Sequence, residues 1–196
     1  IKHFGNEGDR YLGGENLLEL LANHVFKNNQ DYLLKNSFAF SLHPEMKKWL
    51  GSEGIVNDSQ EAKRNTRTLM ELLRPFWEDK QDDLRISNEK AEDAEIELSL
   101  TNSQGIAIQG CKLKLNIKNL EEILKDRVRE GVQKFFGALD NAFKVLDSVE
   151  TIEIFLAGNS TKSKLVQEIF KEEIDIETKK GTYKFNLHMP LGHDNP

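Results

Sequence analysis

The sequence predicts an α/β fold: a strand–turn–helix unit near the C-terminal end, preceded by helices and a small antiparallel sheet. Three observations predict it. Residues Ile152–Phe170, IEIFLAGNSTKSKLVQEIF, run from an apolar β-branched stretch through Gly158 and polar Asn159-Ser160-Thr161 directly into a helical pattern. Between Glu95 and Leu100 the hydrophobic period is two, with Ile96, Leu98 and Leu100 alternating against Glu95, Glu97 and Ser99. From Leu120 to Leu146 the period is helical over about seven turns.

Taken in order, Gly14 to about Asn28 reads as a helix with Leu17, Leu20, Leu21 and Val25 on one face. His24 lies one turn beyond Leu20 and Leu21 with no metal-ligand spacing around it, which reads as a satisfied, partly buried histidine. Asp31 to Asn57 is mixed. Ser41-Leu42-His43-Pro44-Glu45 has the form of a helix start, proline sitting just inside it, and predicts a short helix through Trp49-Leu50 that stops at Gly51.

Asp58 is placed to cap a long helix to about Leu84, with Leu69, Leu72, Leu73 and Phe76 as its apolar stripe. Pro75 should kink or divide that helix, because proline removes a helical hydrogen bond. The strand around Ile96–Leu100 turns at Asn102-Ser103-Gln104-Gly105 into a second strand. There the apolar phase slips, from Ile106 and Ile108 at even positions to Leu113, Leu115 and Ile117 at odd ones. A one-residue slip inverts every side chain, so a bulge or break is expected around Gly110-Cys111.

Asn119 and Glu122 have capping-box spacing at the head of the long helix. Its stripe is Leu120, Ile123, Leu124, Val128, Val132, Phe135, Leu139, Phe143 and Leu146. The last strand is Tyr183–Leu187, ending before Met189-Pro190.

The 196 residues suit one domain or one large lobe. A net charge of −6 and no basic run argue against nucleic acid as a partner. The single cysteine, Cys111, excludes an internal disulfide framework and fits a reducing cytoplasm; within a strand pattern and with no visible base it reads as packing. No apolar run approaches the roughly 20 residues that span a bilayer, so no membrane role is expected. The start at Ile1, inside what reads as a strand end, and the stop in the loop Gly192–Pro196 suggest an excised or processed piece of a longer protein.

Alone, a strand–glycine–serine/threonine–helix passage is also the form of many α/β connections without a ligand. A second stretch adds to it. Gly8-Asp9-Arg10-Tyr11-Leu12-Gly13-Gly14-Glu15-Asn16-Leu17 leads into the first helix. Together the two stretches resemble the DnaK-type, seventy-kilodalton heat-shock chaperone family of the actin-like ATPase superfamily. In that family a G-D-x-x-L-G-G-E run opens a helix of the second lobe, and a later strand ending in G-G/N-S-x-K/R closes over the nucleotide. The resemblance covers nearly the whole chain, which would be half of an ATPase domain.

The resemblance implies an incomplete ribonuclease-H-like lobe, residues 1–12 and 124–196, with an inserted α+β subdomain of helices and a small antiparallel sheet, residues 13–123. It implies a parent that binds ATP or ADP with magnesium, an inserted subdomain that rotates with nucleotide state and is gripped by a nucleotide-exchange factor or co-chaperone, and unfolded client proteins bound by the parent. On this chain the adenosine-contacting positions are Gly13, Gly14 and Glu15; the helix face Glu78, Gln81, Asp82 and Arg85; and the turn Gly158, Asn159, Ser160 and Lys162.

Glu78 keeps the family's ribose-binding glutamate, whereas Gln81, Asp82 and Arg85 stand where the family has lysine, arginine and serine. Adenosine is neutral, so losing two cations does not forbid it, and Arg85 can stack on a base. Gln81 and Asp82 read equally as part of a solvated helix face. In the turn, asparagine replaces the second glycine, which is mild because asparagine tolerates a left-handed backbone. Lysine replaces arginine there, a point charge in place of a flat stacking surface.

Phosphoryl transfer needs a metal-binding carboxylate, phosphate-cradling amides and a group that orients water. In the family these come from outside the stretch matched here, so the chain alone is not expected to hydrolyse ATP. Two other readings stand beside this one. One is a nucleotide-independent protein-interaction module that keeps the fold and has lost the site, favoured by Gln81 and Asp82. The other is a different enzyme of the superfamily, such as a sugar kinase, disfavoured by the G-D-x-x-L-G-G-E run.

Overall fold

The computed structural model describes residues 9, 11–78, 86–87, 94–143, 150–157, 159–181 and 183–189. The fold is mixed helix and sheet, with a small antiparallel sheet. The chain divides into two compact units, one of residues 1–13 and 125–196 and the other of residues 14–124. The strand end expected at Ile1, the helix positions Leu84 and Leu146, and the final loop lie outside the described residues.

In the unit of residues 14–124, α1 (Gly14–Asn28) forms as its leucine spacing demands and buries Leu17, Leu18, Leu21, Val25 and Phe26. It is followed by a helix the apolar pattern does not signal, α2 (Gln30–Lys35), which contributes one buried side chain, Leu33. The short helix expected after Ser41 is absent. Pro44-Glu45 makes a turn, with the Met46 amide donating to the His43 carbonyl at 2.9 Å.

The physical reason lies in buried side chains that take up this segment's backbone. Asn23 of α1 accepts from the His43 amide at 2.7 Å and donates to the Ser41 carbonyl at 3.0 Å. Thr66 accepts from the Ser41 amide at 3.0 Å. Groups a helix would need internally are already satisfied in an extended form.

Helix α3 (Gln60–Trp77) starts one residue later than expected. Ser59, not Asp58, is the cap, its Oγ accepting from the Ala62 amide at 3.1 Å. Leu69, Leu73 and Phe76 are buried, as the stripe requires. Pro75 falls in the last turn, and the helix closes at Trp77 with Glu78 as its C-cap, where the Glu78 amide donates to the Arg74 carbonyl at 3.0 Å.

A three-stranded antiparallel sheet in the order β1 (Ile86–Ser87), β2 (Ala94–Thr101), β3 (Ala107–Leu115) lies under α1 and α3. Along β2 the residues alternate as the sequence predicts, with Ala94, Ile96, Leu98 and Leu100 buried. Asn102 builds the turn, its Oδ1 accepting from the Gln104 and Ile106 amides at 3.0 and 2.9 Å. The phase slip is a bulge. Leu98 pairs with Cys111 and Leu100 with Ile108, so two residue steps on β2 face three on β3. Gly110 takes φ 68°, a left-handed conformation that costs glycine least.

Two asparagines fasten the helices to this sheet. Asn29 accepts from the Lys114 amide and donates to the Lys114 carbonyl, both at 2.9 Å. Asn65 accepts from the Thr101 amide at 2.7 Å and donates to the carbonyls of Thr101 and Ala39 at 2.8 Å.

Helix α4 (Ile117–Phe143) carries the chain from this unit into the other. Its cap is Asn116, not Asn119: Asn116 Oδ1 accepts from the Asn119 amide at 2.8 Å. The buried stripe follows Leu120, Leu124, Val128 and Val132, then continues through Phe136, while Phe135 is exposed.

In the unit of residues 1–13 and 125–196, β4 (Thr151–Phe155) pairs in parallel with β5 (Lys184–His188), Thr151 opposite Lys184. A parallel pair requires a crossover, and α5 (Lys164–Lys179) supplies it. Phe136 of α4 packs edge-on against Phe185 of β5 at 5.6 Å. Ile152, Ile154, Val166 and Ile169 are buried in the same unit, and Thr151, Glu153 and Phe155 are exposed.

Candidate functional site

Gly13-Gly14 carries the chain from one unit to the other, and Gly14 is the first residue of α1. The approach to it is fixed by Asp9. Its Oδ1 accepts from the Tyr11 amide at 3.0 Å and from Arg127 Nη2 at 2.7 Å, and its Oδ2 lies 3.3 Å from Lys134 Nζ. Both partners of the Asp9–Arg127 pair are largely buried, at 12% and 7% side-chain exposure. Arg127 first, with the Tyr11 amide and Lys134 assisting against the cost of burial, holds the Asp9 carboxyl down at about 2. Leu12 sits against Gly131 of α4, where a Cβ would meet its Cδ2 at 2.3 Å. Glycine at 131 is therefore a packing requirement for the residue just before the Gly13-Gly14 turn.

Glu15, next in the motif, does not stand alone. Arg74 of α3, 59 residues on, grips it with two bonds, Nη1 to Oε1 at 2.7 Å and Nη2 to Oε2 at 3.2 Å. The same guanidinium binds both oxygens of Glu71, at 3.0 Å each. The bonds to Glu15 and then Glu71 push the Arg74 pKa above its ordinary value, and Arg74 in turn lowers that of Glu71. Sequence reasoning missed Arg74. The available signal was its place one turn before Glu78, the spacing at which helical side chains share a face.

Glu78 is exposed, at the C-cap of α3. Gln81, Asp82 and Arg85 lie outside the described residues, as does Gly158. The backbone of Asn159 and Ser160 forms a single 3-10 turn with Thr161 and Lys162, and Lys162 is exposed. This turn stands between β4 and α5, where the sequence pattern suggests immediate entry into the helix. Gln167 of α5 folds back and donates to the carbonyls of Thr161 and Lys162 at 3.1 and 3.3 Å, which fixes the turn on the first turn of α5.

Glu78 and Lys162 are both exposed, the first at the C-cap of α3 and the second in the turn before α5. Burial first, and then the charge of Lys27, hold the His24 imidazole below its ordinary value. Among the described residues, no group of three or more His, Cys, Asp or Glu is placed to hold a metal ion. No described helix is long and apolar enough to cross a membrane. No protein-family model matches the chain, and no curated protein or solved structure matches it either.

Proposed function

We propose that this chain is part of an ATP-binding, heat-shock-chaperone-like ATPase, in which it contributes the adenosine side of the nucleotide site within an incomplete ribonuclease-H-like lobe and its inserted subdomain. The observation that carries the reading is the crossover from β4 to β5. The chain leaves the carboxyl end of a parallel strand, passes through the turn Asn159–Lys162 and returns in α5. The carboxyl ends of parallel strands, beside a helix start, are where open α/β sheets receive ligands. The residues present fit the neutral half of a nucleotide: the Glu78 carboxylate suits ribose hydroxyls, and the glycine backbone at Gly13-Gly14 allows close approach. Bound ATP would supply the phosphoryl group and the state signal, while this chain's residues hold and orient the nucleoside. Exchange factors, co-chaperones and unfolded clients are the partners this reading implies, in a cytoplasmic setting.

The second reading, a nucleotide-independent interaction module, is favoured by Gln81 and Asp82, which stand where the family has two cations. Calorimetric titration of ADP and ATP, with magnesium, into the parent protein separates the two. The nucleotide reading expects binding that both Glu78→Ala and Gly158→Val weaken. Absence of binding by the unaltered parent gives the module reading the lead.

A further inference from the structure

The Arg74 side chain is a feature near the proposed site that neither the motif nor the hydrophobic pattern accounts for. Its four hydrogen bonds to Glu15 and Glu71 use all three guanidinium nitrogens, joining the first turn of α1 to the last turn of α3. Its main chain does a second task, because the Arg74 carbonyl accepts from the Glu78 amide at 3.0 Å and so closes the helix on which Glu78 sits. One residue thus connects directly to Glu15 through its side chain and to Glu78 through its backbone. Both lie in the unit of residues 14–124.

Surface ion pairs between flexible side chains contribute little to stability. A planar fork held by two carboxylates is different in kind, because it fixes direction as well as charge. The Arg74 side chain is 29% exposed and that of Glu15 66%, so hydrophobic burial does not explain the arrangement.

Resting on the nucleotide reading above, we propose that Arg74 is a positioning residue for ribose recognition: it locks the start of α1 to the end of α3 and so sets where the Glu78 carboxylate stands relative to the Gly14 turn. Arg74 itself touches no ligand in this scheme. Lysine can replace it only in part, since a single ammonium cannot span two carboxylates with parallel bonds.

The test compares ADP with 2′-deoxy-ADP, titrated with magnesium into the parent protein. The two ligands differ by the hydroxyl that Glu78 is proposed to recognise. Arg74→Ala is expected to weaken ADP about tenfold while weakening 2′-deoxy-ADP much less, so that the preference for ribose shrinks. Arg74→Lys should show the same loss of preference at a smaller size, and it carries the test if Arg74→Ala does not fold. The double charge swap Arg74→Glu with Glu15→Arg should recover part of the preference. If Arg74→Ala or Arg74→Lys weakens the two ligands equally, or leaves both unchanged while lowering thermal stability, Arg74 is a stability residue and the proposal fails. If the unaltered parent binds neither ligand, the nucleotide reading itself fails, and this inference fails with it.

Discussion

The Asp9–Arg127 pair allows a sharp test of how the segment before the Gly13-Gly14 turn is held. The Asp9 carboxyl has an ordinary value of 3.8 and is held at about 2 in the fold. Each unit of difference is worth about 1.4 kcal/mol, so ionised Asp9 contributes about 2 kcal/mol to folding near neutral pH. The sign follows from the lowered folded value. The contribution is fully present above the unfolded value, near pH 4, and is lost as pH falls toward 2. Arg127→Met keeps the buried stem and removes the guanidinium, the largest cause of the shift. It should destabilise the chain by about 2 kcal/mol at pH 7, with roughly half of that remaining at pH 3.

Urea denaturation followed by far-UV circular dichroism measures the loss, and amide exchange along residues 125–136 places it. Both tryptophans, Trp49 and Trp77, belong to the other unit, so their fluorescence is an independent control. Asp9→Asn should flatten the acid dependence while leaving an acceptor for the Tyr11 amide. A loss from Arg127→Met that is the same at pH 7 and pH 2.5 would refute the argument, because it would mean that packing, not charge, is what Arg127 supplies.

Other consequences follow from single contacts. Gly131→Ala should cost about 1–2 kcal/mol by thermal denaturation despite alanine's better helix propensity, and should become neutral or stabilising when combined with Leu12→Ala. Gly110→Ala forces a Cβ into the left-handed region at the bulge and should cost about 1 kcal/mol in urea melts, with the strand register kept in amide-exchange patterns. Asn65→Ala leaves the buried Thr101 amide and carbonyl without their side-chain partner and should cost about 3 kcal/mol, seen as a lower urea midpoint at unchanged slope.

The elements most legible in the sequence were those governed by period. The alternation of β2, the stripe of α3 and the slip that becomes the Gly110 bulge are all consequences of which side chains must face inward, and that is written locally. Less legible was whatever a distant side chain decides. The segment after Ser41 carries a sound helix-start pattern, yet Asn23 and Thr66 claim its backbone. The cap at Ser59 lies beside Asp58, and the cap at Asn116 three residues before Asn119, each rival equally able to cap by its side chain. At the shift from Phe135 to Phe136, two adjacent phenylalanines give the stripe two continuations; Phe170 packs against both, and Phe185 against Phe136. Arg74 was hidden for a related reason: its partner Glu15 is 59 residues away, and no local rule joins them.

A carboxamide presents the same donor and acceptor as a peptide group, so Asn29 and Asn65 each act as a single rung between a helix and a strand. Hydrophobic contact permits helices to slide by fractions of an ångström at small cost, whereas a two-bond rung is either matched or broken. Displacing α1 or α3 by one residue along the sheet would strand a donor and an acceptor at once, for α3 in a fully buried place. Residues 14–124 should therefore respond to force or to a binding partner by moving whole, and internal change should come in discrete steps, each marked by the sudden exposure of the Lys114 or Thr101 amide to exchange.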